Sequence, residues 1–336
     1  MRSALTLGIV PLLWLPMAAQ QPITNSYAQV DLDSSIQGMG FTVPSMINPW
    51  GLVAQGGPRS SSVWYVAENG TGLVSFIAGD GDWSGGIIIP PASGTGIGSP
   101  AGECISPGHA QIFATLDGTL SMYIGGTTAT IEVNNSAEGA VYTACTRWGP
   151  VPVEPSDRIY VANSAGGVEA YDPNLNPITL PPGAFVDPNI PAGFTPYGIS
   201  AIGKQIWVSF FNGTAGEGQG YIDAFDQNGA VLLRLQQGEW MDQPLGMVKA
   251  PTNFGKFSQS LLVAMTGSGV IAAFNPETGA FGGVLEDGSG QPLVNLGIHG
   301  IAFGNGNLSS GPTTTLYFTA GISGFTQGLF GSITAN

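Results

Sequence analysis

The chain has 336 residues, 22 of them acidic and 8 basic, for a formal net charge of −14. This balance excludes nucleic acid and anionic membranes as partners, because a polyanion is held by a basic footprint that the chain lacks. Only 9% of residues are charged while 43% are apolar, and 52 glycines and 25 prolines punctuate the sequence. That composition excludes disorder and suits an all-β protein with many tight turns.

In chain order, Met1-Arg2 leads into an apolar stretch from Ala4 to Leu15 and then to Ala18 and Ala19. This is the layout of a cleavable secretory signal over residues 1–20, with the mature domain expected over 21–336. No later run reaches the roughly 20 apolar residues of a transmembrane helix, so no membrane anchor is expected. Two cysteines, Cys104 and Cys145, suit an exported protein with one disulfide, and they are expected to pair across neighbouring inner strands. Four Asn-x-Ser/Thr sequons, at Asn69, Asn134, Asn212 and Asn307, are candidate glycosylation sites on that route.

A short motif then recurs: Asn48-Pro-Trp-Gly-Leu52, Ser99-Pro-Ala-Gly-Glu103, Thr195-Pro-Tyr-Gly-Ile199 and Gln243-Pro-Leu-Gly-Met247. Val141-Tyr-Thr-Ala-Cys145 and Gly297-Ile-His-Gly-Ile301 keep the position but lose the proline. The third residues, Trp50, Ala101, Thr143, Tyr197, Leu245 and His299, are separated by 51, 42, 54, 48 and 54 residues. A β-rich run follows each motif, as in Val63–Ala67, Ile159–Ala162 and Leu261–Ala264, and then a glycine turn and a third strand. Fourth strands are expected at Ala230–Leu235 and Ala280–Leu285. Such units are four-stranded meanders, and six of them predict a six-bladed β-propeller. The sixth unit runs out of chain before its fourth strand, so Tyr27–Leu32 is expected to supply it and close the ring.

Several segments resemble a family of secreted propeller proteins, bacterial and fungal, with a more distant likeness to NHL-repeat and gluconolactonase-like propellers. They are Asn48–Leu52, Glu68-Asn-Gly-Thr-Gly72, Ala114-Thr-Leu-Asp-Gly118, Phe185-Val-Asp-Pro-Asn-Ile-Pro-Ala-Gly193 and Leu316-Tyr-Phe-Thr-Ala-Gly321. The resemblance implies the fold and export. It brings no catalytic residues, and Cys104, Cys145 and His299 depart from the family's pattern.

In an antiparallel meander the start of strand one and the end of strand two share a face of the disc. One channel mouth is therefore expected to gather Trp50, Thr143, Tyr197, Leu245 and His299 with Glu68, Thr115, Asn163, Phe210 and Met265. His299, Tyr197 and Glu68 are the candidate acid–base groups. Trp50, Thr143, Asn163, Phe210, Leu245 and Met265 are the candidate ligand contacts. Trp50, Tyr197 and Phe210 either stack on a flat ligand or plug the channel. The glycine-rich loop Phe211–Gly220 with Glu217 is either a lid or an inserted surface loop. His109 reads as structural.

No nucleophile elbow, zinc-protease helix, Walker loop or dinucleotide fingerprint occurs in a fitting context. The expectation is a cofactor-free monomeric propeller that binds a small apolar or aromatic metabolite and steers a cyclisation or dehydration, by analogy with fungal propeller cyclases. Alternatives are a non-enzymatic glycan or matrix binder, and a calcium-dependent lactonase using Glu68 and Asn163 as oxygen ligands.

Overall fold

A computed structural model describes residues 24–54, 56, 61–106, 110–149 and 157–336. The expected signal segment and His109 lie outside the described residues. Among the described residues the architecture is the six-bladed propeller of four-stranded antiparallel blades that the repeat predicts. The innermost strands of blades I to VI are Pro49–Ala54, Pro100–Ile105, Tyr142–Trp148, Thr195–Ile202, Pro244–Lys249 and Ile298–Phe303. Each neighbours the next, and the sixth returns to the first, so they line an axial channel.

Burial follows from this geometry. The second strand of each blade is flanked by blades on both sides, so Gln111–Thr115, Leu261–Met265 and Leu316–Ala320 are buried along their whole length. Successive side chains of a strand point to opposite faces. Accordingly, Leu262 and Ala264 pack towards blade VI while Leu261, Val263 and Met265 pack towards blade IV. The apolar residues form six clusters, one at each junction between neighbouring blades. Outer strands face water on one side and alternate, as in Thr130–Asn134.

The fourth strands of blades IV and V lie at Val231–Arg234 and Phe281–Val284, inside the expected spans. Tyr27–Ser34 pairs antiparallel with Leu329–Ala335 and completes blade VI, two residues beyond the expected end. The Tyr27 ring is fully buried, its hydroxyl donating to the Phe254 carbonyl at 3.1 Å and accepting from the Phe257 amide at 3.2 Å. This strand fastens the ring and also covers the edge that blade VI would otherwise expose.

The recurring motif has a structural cause. In every blade the pairing of strands one and two shifts register there, between Pro49 and Leu52, Pro100 and Gly102, Tyr142 and Ala144, Pro196 and Gly198, Pro244 and Met247, and Ile298 and Ile301. Bulges re-aim a side chain out of the sheet's alternation, and here they act at the third motif residue of all six blades. The glycine that follows meets the neighbouring inner strand. A Cβ on Gly51, Gly102, Gly198, Gly246 or Gly300 would lie within 3.0 Å of atoms of the next strand. Blade III carries Ala144 instead, and Thr143 Oγ1 there donates to the Tyr197 carbonyl at 2.6 Å.

No helix among the described residues is long and apolar enough to cross a membrane.

Candidate functional site

The shared face is as the meander requires: Pro49 pairs with Glu68, Pro100 with Thr115, Tyr142 with Asn163, Pro196 with Phe210, and Pro244 with Met265. What the side chains do on that face separates two groups. The third motif residues converge on the axis. Trp50 of blade I stacks on His299 of blade VI with ring centroids 4.5 Å apart, and meets Tyr197 of blade IV edge-on at 6.1 Å. Blades I and IV stand opposite each other in the ring, so these two rings meet across the mouth. Phe325 flanks His299 at 5.6 Å and Phe211 flanks Tyr197 at 5.2 Å, which extends the aromatic row to five rings.

The row spans the mouth: His299 is buried, Trp50 is partly exposed and Phe325 is 45% exposed. Tyr197 is buried, its hydroxyl accepting from Gln243 Nε2 at 2.9 Å, and burial pushes the phenol up to about 12. Gln243 and Asn48 both precede the motif proline with positive φ, 54° and 49°. A positive φ is uncommon for a residue other than glycine, and asparagine is among those that tolerate it best.

The residues ending the second strands stay in the blades. Phe210 faces the III/IV core rather than the mouth, because the strand alternation gives the position beside Tyr197 to Phe211. Met265 lies in the IV/V core. Glu68 folds back on its own hairpin, accepting from Ser75 Oγ at 2.5 Å and Thr71 Oγ1 at 2.9 Å, and burial raises its pKa. Asn163 accepts from the Val141 and Ala165 amides and donates to Glu169 at 2.7 Å. Glu68 and Asn163 therefore sit on non-adjacent blades and are not brought together. No group of three potential ligands that could hold a metal occurs among the described residues.

Below the aromatic row lies an axial cavity of about 410 Å³, lined by Trp50, Thr143, Leu245, His299 and the inner-strand residues beneath them. The Cys104–Cys145 disulfide is formed, with Cα atoms 5.7 Å apart, and staples blades II and III on the cavity wall.

Three lining groups are buried without an intramolecular hydrogen-bond partner: Trp50 Nε1, both Glu103 carboxylate oxygens and His299 Nε2. His299 is 1% exposed and its Nδ1 lies 2.9 Å from the Pro49 carbonyl. A carbonyl only accepts, so Nδ1 carries the proton and Nε2 holds the free lone pair. Burial lowers the imidazole to about 4, so it is neutral at pH 7. Glu103 reaches from blade II to beside Gly51, whose Cβ would lie 3.1 Å from Glu103 Cγ. Part of the residue faces the cavity, yet both oxygens are covered, and burial holds its carboxyl well above the ordinary range. Glu103 and His299 thus flank the same strand of blade I. Glu103, Phe211, Phe325 and Gln243 escape a reading of the sequence. The one available signal was Glu103, a carboxylate beside the motif glycine on a strand bound to line the axis.

The loop Phe211–Gly220 is tied down by Asn212 Nδ2 to Gln219 Oε1 at 2.8 Å and by the Gly216 amide to Asp242 at 2.6 Å. Among the sequons, Asn134 is exposed, whereas Asn69 and Asn212 are half-buried. Asn307 is 6% exposed and donates inward to the Ser62 carbonyl, so a glycan there conflicts with this packing.

No family model matches the chain. Two curated relatives are uncharacterized proteins of Acanthamoeba polyphaga mimivirus. Protein R640 is 33% identical, over 59% of this chain and 38% of its own length. Protein R648 is 25% identical, over 97% of this chain and 84% of its own length. The chain thus spans well under half of the first relative, and the relatives are viral where the sequence resemblance pointed to bacteria and fungi. Among solved structures, virginiamycin B lyase from Staphylococcus aureus is similar with a TM-score of 0.56 at 12% identity, over 92% of this chain and 99% of that one. The PQQ-bound aldose sugar dehydrogenase from Streptomyces coelicolor is similar with a TM-score of 0.54 at 13% identity, over the same 92% and 99%. At these identities the likeness is one of fold.

Proposed function

We propose that the protein binds a small, largely apolar molecule in the axial cavity beneath Trp50, with the indole N–H, His299 Nε2 and the Glu103 carboxyl, now covered in the cavity wall, turning to meet it. The observation that carries this reading is the set of three buried polar groups left unbonded around one apolar space. Each such group costs about 1–3 kcal/mol when nothing pairs with it, so a partner supplied from outside is favoured. A cavity of about 410 Å³ falls in the range of small-molecule sites.

The same groups support chemistry on the bound molecule. Burial lowers His299 to about 4, leaving a neutral base at pH 7, and holds the Glu103 carboxyl well above its ordinary range, which favours its acid form. A pair of this kind suits a proton-shifting isomerisation, dehydration or cyclisation, in which one group takes a proton and the other gives one. The lyase and dehydrogenase propellers show that this architecture hosts catalysis in other proteins. Export of residues 21–336 fits the disulfide, which persists in oxidising compartments.

The test is a small-molecule library screened by thermal shift on the wild type and on Ser200→Trp, which fills the cavity. At least one compound raises the wild-type Tm by several degrees and loses its effect in the filled variant. If every stabilising compound acts equally on both, the cavity is not the binding site.

A further inference from the structure

A second site lies at the outer rim, where the closing arm of blade VI meets blade I. A groove of about 900 Å³ runs there between Phe41 and the turn Asp80-Gly81-Asp82-Trp83. Its two aromatic walls face solvent: Phe41 is 64% exposed and Trp83 48% exposed. The Trp83 ring is held in place, since its Nε1 donates to Ser75 Oγ at 3.0 Å. Asp80 and Asp82 stand exposed between the walls, and among the described residues no basic one lines the groove.

Asp33 supplies an independent sign of a missing partner. It is 0% exposed, and neither carboxylate oxygen has a hydrogen-bond partner. The space that a side chain on Gly81 would fill touches both sides, 3.0 Å from the Phe41 ring and 3.4 Å from Asp33 Oδ2. Asp33 thus lies directly behind Gly81, which lines the groove, with its carboxylate covered beneath the groove wall. Burial and the two neighbouring aspartates push its carboxyl up to about 7, a state that a cation would relieve.

We propose that this groove binds an organic ammonium group, either a free alkylamine or a lysine side chain, between Phe41 and Trp83 with Asp80, Asp82 and Asp33 as its counter-charges. A hard divalent cation fits less well. It takes six to eight oxygen ligands, whereas the lining carries two carboxylates set between two aromatic rings. An ammonium group is attracted by ring faces as well as by carboxylates.

The experiment is calorimetric titration of the full chain with butylammonium, tetramethylammonium, a lysine-containing tripeptide and, separately, Ca²⁺. Saturable binding of an ammonium probe is expected, weakened at least tenfold in Trp83→Ala and in Asp80→Asn/Asp82→Asn. These variants change exposed residues, so a Tm no lower than that of the wild type checks their fold. Stronger binding of the tripeptide identifies a protein lysine as the source, and stronger binding of the free amines identifies a metabolite. Binding of Ca²⁺ alone, no binding by any ammonium probe, or equal affinity in the variants overturns the proposal. Because the groove lies at the rim, its outcome is independent of the axial cavity.

Discussion

At the scale of single residues, His299 and Glu103 set the tests. Glu103→Gln keeps the shape and removes the acid, while His299→Ala removes the base. If the cavity is catalytic, each lowers turnover of an identified substrate by about 10²–10⁴-fold while the fold is kept. If it only binds, affinity falls without any turnover being lost. His299 also links stability to pH. Its folded pKa is about 4 against an ordinary 6.5. Between these values the unfolded chain takes up the proton first, so the contribution is complete above pH 6.5 and is lost as pH falls towards 4. His299→Gln should flatten this acid limb of Tm against pH. Asp33 has the opposite sign, since its pKa rises from 3.8 to about 7. Its contribution is present below 3.8 and is lost as pH climbs through 7. Asp33→Asn should therefore raise Tm over wild type at pH 8, and by much less at pH 4.

At the scale of elements, the motif glycine governs how closely the blades approach. Gly246→Ala drives a Cβ against the His299 carbonyl and should cost about 1–3 kcal/mol in urea unfolding. Gly288→Ala is the control: its Cβ meets only Ser26 Oγ at 3.7 Å, so its effect should stay within about 0.5 kcal/mol. The disulfide acts on the same layer. It closes a loop of 41 residues between blades II and III, and Cys104→Ser/Cys145→Ser should lose about 2–4 kcal/mol, measured by denaturation without reductant. These elements were legible in the sequence because the bulge recurs in every blade and the close approach of a glycine in five of the six, leaving glycine, and in four blades proline, at fixed places. The aromatic row was legible only in part. Trp50, Tyr197 and His299 occupy the repeating position, but Phe211 and Phe325 come from segments with no counterpart in the other blades.

At the scale of the molecule, closure depends on residues from the two ends of the described chain. Removing residues 24–34 strips blade VI of its outer strand and exposes the face that Tyr27 covers. The expected result is a lower Tm and concentration-dependent association, read by size-exclusion chromatography. The sequence by itself determined the number of blades, the place of the closing strand and the face on which six motif residues meet. Those follow from local repetition and from the two-residue period of a strand, which each repeat carries within itself. Only the tertiary structure decided that Trp50 and Tyr197 meet across the axis and that Glu68 is taken up by its own hairpin. It also decided that the Glu103 carboxylate and His299 Nε2 are left without a hydrogen-bond partner on either side of the inner strand of blade I. Those outcomes depend on which side chains the closed ring brings together from distant repeats, and on how far that packing shuts out water.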